Sequence, residues 1–349
     1  MIKIKVVTPV VAGLFCLLLS ACTRDSAPVP DVSEINVDVT LIRFDEAVFD
    51  VDTNQIATEL NRLDAEYGNF ADLYLRNIMP VRRADFDAEE QIEVMAAMLR
   101  YRPLRVLDSL VSEKFDDAEM DRQVADLEQA LRYYRHYLPT AEVPDTLTTF
   151  VSEFGYAALM YGENDLAAGL EFYLGPEFDY TQVSAQESIF SEYLRRTYRP
   201  EYLTQKLMQV VIDDRILRPR AGRLIDYLIY EGKKLYLLER VLPYAEETQT
   251  QEVTEEQLEW LRNNEIAIYA NLQKEDQLYS TDQILIRKLT QPAPYTQGMP
   301  TDSPGRAVNY LGKRIIQAYV EANPQTTMEQ LIAIEDGQKI LAGARYKPR

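Results

Sequence analysis

Leu19-Ser20-Ala21-Cys22 closes an apolar run that begins at Val6, behind Lys3 and Lys5. A cysteine thiolate is the nucleophile that a diacylglyceryl donor can alkylate. The small residues just before it suit a peptidase that needs an uncluttered backbone. The run is broken by Thr8, Pro9 and Gly13, and it falls short of the roughly 20 apolar residues that span a bilayer. It reads as an export signal over residues 1–21, whose removal leaves Cys22 as the lipid-bearing first residue. An ordinary signal peptide with a chance cysteine is the competing reading. The other cysteine, Cys16, lies inside the signal, so no disulfide framework is expected. Each buried acyl methylene contributes about 0.8 kcal/mol, so two or three long chains at Cys22 anchor the protein to a membrane.

Other chemistry is sparse. His136, the only histidine, sits in Tyr133-Tyr-Arg-His-Tyr137, where packing with aromatic neighbours is the simpler reading than general-base work. HExxH, CxxC, GxSxG and Walker motifs are missing, and a Ser/His/Asp triad would have to use His136 without an elbow to expose the serine. With 56 Asp and Glu, any pair chosen for glycoside cleavage is most simply a solvated face. Asp213, Asp214, Asp226 and Glu231 form the one candidate acidic cavity, which would bind a cation or a peptide. Lys233 and Lys234 beside Glu231 favour the plainer reading, in which that carboxylate is paired and the aspartates face water. Many tyrosines stand against a single tryptophan, Trp260. That balance fits carbohydrate contact or, more simply, core and rim. No cofactor and no catalytic residue is expected.

The formal charge is −19, from 37 Lys and Arg against 56 acids. Without Lys3 and Lys5 the basic count falls to 35 and the charge to −21. Such a surface argues against nucleic-acid binding and against adhesion to anionic lipid. Attachment then rests on the acyl chains.

The elements that would position these residues are mostly helices. Residues 22–34 are polar and Pro-bearing and read as a lipidated, flexible tether. Ile35 to Phe44 alternates apolar and polar residues, as a half-buried strand does. Asp52 or Thr53 caps a helix to about Tyr67, stopped by Gly68-Asn69. Residues 70–138 read as helical. Leu147–Phe154, Tyr156–Tyr161 and Leu166–Leu174 read as a short sheet, with Gly162–Asp165 as a turn. Apolar helices follow over about 201–217 and 222–240. Thr254-x-x-Gln257 is a capping box for a helix that aligns Leu258, Leu261, Ile268 and Leu272. Ser303-Pro304 has N-cap and N1 chemistry for a helix to about Glu321, and a last helix begins near Thr327. The fold class is α+β, helix-dominated, with one domain over 35–349.

Leu174-Gly-Pro176, Tyr198-Arg-Pro-Glu-Tyr202, Leu224-Ile-Asp-Tyr-Leu-Ile-Tyr-Glu-Gly-Lys-Lys-Leu-Tyr236, Leu242-Pro243, Ser303-Pro-Gly305 with Tyr310-Leu-Gly312, and Ala344-Arg-Tyr-Lys-Pro348 occur in this order. With the lipobox and Arg43-Phe-Asp45, the set resembles the GldB family of gliding-motility lipoproteins of the Bacteroidetes, across nearly the whole mature chain. The resemblance implies a lipid-anchored, periplasm-facing envelope accessory of the gliding and type IX secretion machinery, whose partners are other envelope proteins. It implies no catalytic activity.

A remoter resemblance is to the gluzincin metalloproteases. Glu231 matches their third zinc ligand, but Val211-Ile-Asp-Asp-Arg215 stands where the HExxH pair would be. A carboxylate-only site suits zinc poorly. The likeness implies a degenerate zincin-like domain that has lost its metal. A periplasmic hydrolase, or a ligand-binding lipoprotein using an acidic cleft around Glu231, is the alternative function.

Replacing the one residue with assignable chemistry gives the first test. Cys22→Ser is expected to abolish metabolic palmitate labelling and to shift the chain out of the membrane fraction. Labelling retained in that variant would contradict the lipidation of Cys22.

Overall fold

The computed structural model describes residues 28–349, except 184–187 and 221. The expected signal and Cys22 lie outside the described residues, as does the tether up to residue 27. Residues 32–349 form one unit by their contacts, and Val32 is already buried.

Strand β1 (Thr40–Arg43) and helix α1 (Phe44–Phe49) lead into α2 (Ile56–Leu73), α3 (Ala88–Arg100), α4 (Arg102–Lys114) and α5 (Asp117–Tyr137). The sheet continues with β2 (Thr146–Phe150), β3 (Ala158–Tyr161) and β4 (Asp165–Gly169). Then come α6 (Glu192–Arg195), α7 (Leu203–Arg215), α8 (Leu224–Val241), α9 (Glu247–Gln251), α10 (Glu255–Asn263) and α11 (Glu265–Gln273). The chain ends with α12 (Gln283–Thr290), α13 (Ala307–Ala322), α14 (Met328–Ala333) and α15 (Gly337–Ala344). This is the helix-dominated α+β class expected. Among the described residues no helix is long and apolar enough to cross a membrane.

The strand order is β1-β2-β4-β3. β1, β2 and β4 run parallel, and β3 turns back on β4 through the expected turn. The alternation from Ile35 appears in burial, with Val37 and Val39 inside and Asn36 and Asp38 outside. Yet only Thr40–Arg43 pairs as a strand. Upstream, the backbone is taken by α5 instead: Val39 N donates to Glu128, and Arg132 and Arg135 donate to the Val37 and Asn36 carbonyls. Downstream, Phe44 opens α1.

β2 also stops short of Phe154. The buried carboxylate of Glu171 accepts from Ser152 N, Ser152 Oγ and Phe154 N at 2.7–3.0 Å. The chain bends around it, and Glu153 and Phe154 take left-handed backbone angles.

Three further departures lie in the helices. Gly68 breaks helical geometry (φ +47°), but the chain resumes as helix to Leu73. The helix opened by the Thr254 capping box ends at Asn263, and α11 starts afresh. All four of its aligned apolar residues are buried nonetheless. Ser303 and Pro304 do not start α13. Ser303 Oγ accepts from Thr296 N, and Thr296 Oγ1 caps the helix by accepting from Ala307 N at 2.8 Å.

Two apolar clusters fill the interior, and α8 belongs to both. Tyr230, Leu237, Leu238 and Val241 join the first, with the sheet, α1–α5 and α7. Leu224, Ile225, Leu228, Ile229 and Tyr236 join the second, with α10–α13 and α15. A helix apolar on most sides must be covered on most sides. The tightest cover is α13. A Cβ on Gly312 would meet the Leu228 carbonyl oxygen at 2.1 Å, and one on Gly232 would meet the Gly312 carbonyl carbon at 2.3 Å. The two backbones touch, and only glycine fits at either position.

Gly312→Ala is therefore expected to cost about 3 kcal/mol, since the obstacle is backbone and not a movable side chain. Urea denaturation followed by circular dichroism checks this. A midpoint equal to the parent's would contradict a crossing this close.

Candidate functional site

Where α8 meets α7 and the start of α13, a cleft of about 310 Å³ opens. α7 brings Lys206, Gln209 and Asp213, and α8 brings Glu231 and Lys234. The turn after α9 brings Glu252, and the start of α13 brings Arg306, Asn309 and Tyr310. Three acids meet three cations, so the cleft is charge-balanced where the residues 213, 214 and 231 alone suggested an acidic cavity.

Glu252 anchors one wall. Its backbone is left-handed (φ +55°) at the end of α9, which turns the side chain inward. Oε1 accepts from Lys206 Nζ at 2.6 Å and Gln209 Nε2 at 2.8 Å, and Oε2 accepts from Arg306 Nη2 at 3.1 Å. Burial alone would raise this carboxyl. Lys206 and Arg306 outweigh it and hold it well below the usual carboxylate range.

The other wall is less balanced. Lys234 Nζ lies 2.7 Å from Asp213 Oδ1 and 3.3 Å from Glu231 Oε2. Asp213 is half in water, whereas the Glu231 side chain is only 17% exposed. Burial therefore raises the Glu231 carboxyl above its ordinary value, against the opposing pull of Lys234. Lys234 itself is raised: burial would lower it, but the two acids prevail.

Below the cleft, Lys313 of α13 is 1% exposed. Its Nζ bonds Glu239 of α8 and, at 2.8 Å, Glu247 of α9, and it stands 5.2 Å above the Tyr310 ring. Arg262 of α10 holds the far side of Glu247. Burial would raise the Glu247 carboxyl, but Lys313 and Arg262 bring it below the ordinary value.

The remaining sequence candidates sit apart. Asp214 is exposed and lines no part of the cleft. Asp226 caps α8 at Arg223 N and accepts from Gly337 N of α15. Lys233 points away from Glu231, toward the Ile332 and Ile334 carbonyls at the end of α14, and burial pushes its pKa down to about 8. His136 is exposed in the last turn of α5, edge-on to Tyr137 at 5.0 Å. Trp260 is half-buried against the second cluster, and Tyr310 is the cleft's tyrosine. Among the described residues no group of three His, Cys, Asp or Glu can hold a metal ion.

Glu252, Arg306 and Asn309 were not among the sequence candidates. Glu252 bonds residues 43 to 54 positions away, so no local spacing marks it. The Thr254 capping box, two residues on, shows only that a turn lies there.

Glu252→Gln would leave Lys206 and Arg306 without their counter-charge and cost roughly 3 kcal/mol at neutral pH. An unfolded glutamate titrates near 4.5, and the folded one lies lower. The stabilisation is thus full above that value and is lost as pH falls toward the folded pKa. Urea midpoints of parent and variant should differ at pH 7 and converge below about pH 4.5. A gap that does not change with pH would contradict the ion pairing.

No curated protein and no solved structure matches the chain. A family model described as gliding motility protein GldB matches residues 25–348. The match takes in the sheet, the α8–α13 crossing and every residue of the cleft, and on that extent the chain belongs to the GldB family of gliding-motility lipoproteins.

Proposed function

We propose that this chain is a non-enzymatic accessory of the gliding motility and type IX secretion machinery, held in the cell envelope by acyl chains on Cys22. On this reading the body faces the periplasm and acts by binding other envelope proteins. The observation that carries it is the extent of the family match, which starts just past Cys22 and runs to residue 348.

The surface supports the binding role. Tyr101, Tyr156, Tyr244, Tyr279 and Tyr295 are exposed. Tyrosine combines a broad apolar ring with a polar tip, the type of side chain that protein interfaces concentrate.

Deletion of the gene is expected to abolish surface spreading, or protein secretion in a host that does not glide, and the intact chain supplied in trans restores it. Normal spreading and normal secretion in the deletion strain would contradict the role.

A further inference from the structure

The two walls of the cleft differ in what they leave unmet. Glu252 is saturated, so Lys206 is committed to structure. Glu231 is not saturated: it shares one ammonium with Asp213, at the longer of the two distances. Asn309 is in the same position. Its Nδ2 donates to Thr290 O at 3.0 Å, but its buried Oδ1 has no partner among the described residues. A buried acceptor left unpaired costs about 1–3 kcal/mol, so one that belongs to a cleft-lining residue is a candidate contact for an occupant.

Both unmet groups are acceptors, so the occupant is a donor. A metal ion does not fit, because it needs several oxygen or nitrogen ligands together and the described residues bring no such group of three. An organic ammonium fits, since it satisfies acceptors one hydrogen bond at a time. Arg306 narrows the class further. One of its nitrogens goes to Glu252 at 3.1 Å, and the side chain is still 29% exposed where it lines the cleft. Its guanidinium can donate to a carbonyl or carboxylate next to the ammonium. Leu235, Leu238 and Leu261 supply an apolar wall for a side chain. The volume of about 310 Å³ is at the small end for a ligand site and suits one or two residues.

We propose that this cleft binds the α-ammonium group of an amino acid or of a peptide's first residue. Glu231 takes the ammonium, Asn309 Oδ1 takes an N–H, and Arg306 takes the neighbouring carbonyl or carboxylate oxygen. This binding goes beyond the accessory role and does not rest on it.

Calorimetric titration of the full chain in detergent tests it with three probes: leucine, the tripeptide Leu-Ala-Ala and its N-acetylated form. Leucine, the tripeptide or both should bind. Binding of both points to the amino-acid moiety itself, and binding of the tripeptide alone points to a chain terminus. Acetylation should weaken binding at least about tenfold, as losing a charged hydrogen bond does. Glu231→Gln should weaken it similarly, while Asp214→Asn, outside the cleft, should leave it unchanged. No heat from either free-amine probe at millimolar concentration would overturn the proposal. So would equal binding of the acetylated tripeptide, a result that needs no variant to fold, or unchanged affinity in Glu231→Gln.

Discussion

Backbone touches backbone where α8 crosses α13 at Gly232 and Gly312, and that contact sets the spacing of everything built on the two helices. α8 is buried on both sides, so it acts as the wall between two apolar clusters. With side chains at the crossing, α13 would stand further off. Lys313 could then no longer reach Glu239 across the interface. Arg306 and Asn309, at the start of the same helix, would draw away from Glu231. The cleft thus follows from a steric fact about two glycines.

Polar groups inside this protein obey a second constraint: each buried charge is drawn to a partner from another element. Glu171 bends the chain after β2, Asp226 ties α8 to α15, Lys233 holds the end of α14, and Glu252 joins α7 to α13. Breaking such a buried pair costs more than the pair itself contributes, because the survivor is stranded. Among the described residues a few buried polar atoms stay unpartnered, Glu171 Oε2 and Gln205 Oε1 outside the cleft and Asn309 Oδ1 at its edge.

Local rules made much of the fold legible. The Thr254 capping box forms and the last helix is capped at Thr327, where a start was expected, the Gly162–Asp165 turn separates two strands, and the apolar character of α8 announced its burial. Two of the misreadings share one cause, a distant partner overriding a local signal. Ser303-Pro304 has helix-start chemistry, yet Thr296 does the capping from eleven residues away. The run from Ile35 looks like strand throughout, but α5 takes its first half. Glu231 was picked out by the likeness to zinc proteases, and its pairing was suggested by the lysines beside it. Glu252, Arg306 and Asn309 were not, because their roles depend on a crossing that no short window contains. The remoter likeness to zinc proteases adds nothing to this picture, as no solved structure matches.

On the proposed reading, a lipid on Cys22 would hold this acidic body near a membrane, where it meets its partners. In the proposed role, its surface engages the gliding apparatus. Chemical cross-linking in intact cells, followed by capture of this chain and mass spectrometry of what comes with it, decides whether it does. Envelope components of the gliding and secretion machinery should be captured with the native chain. Their absence, when the chain itself is recovered in full, would contradict the account.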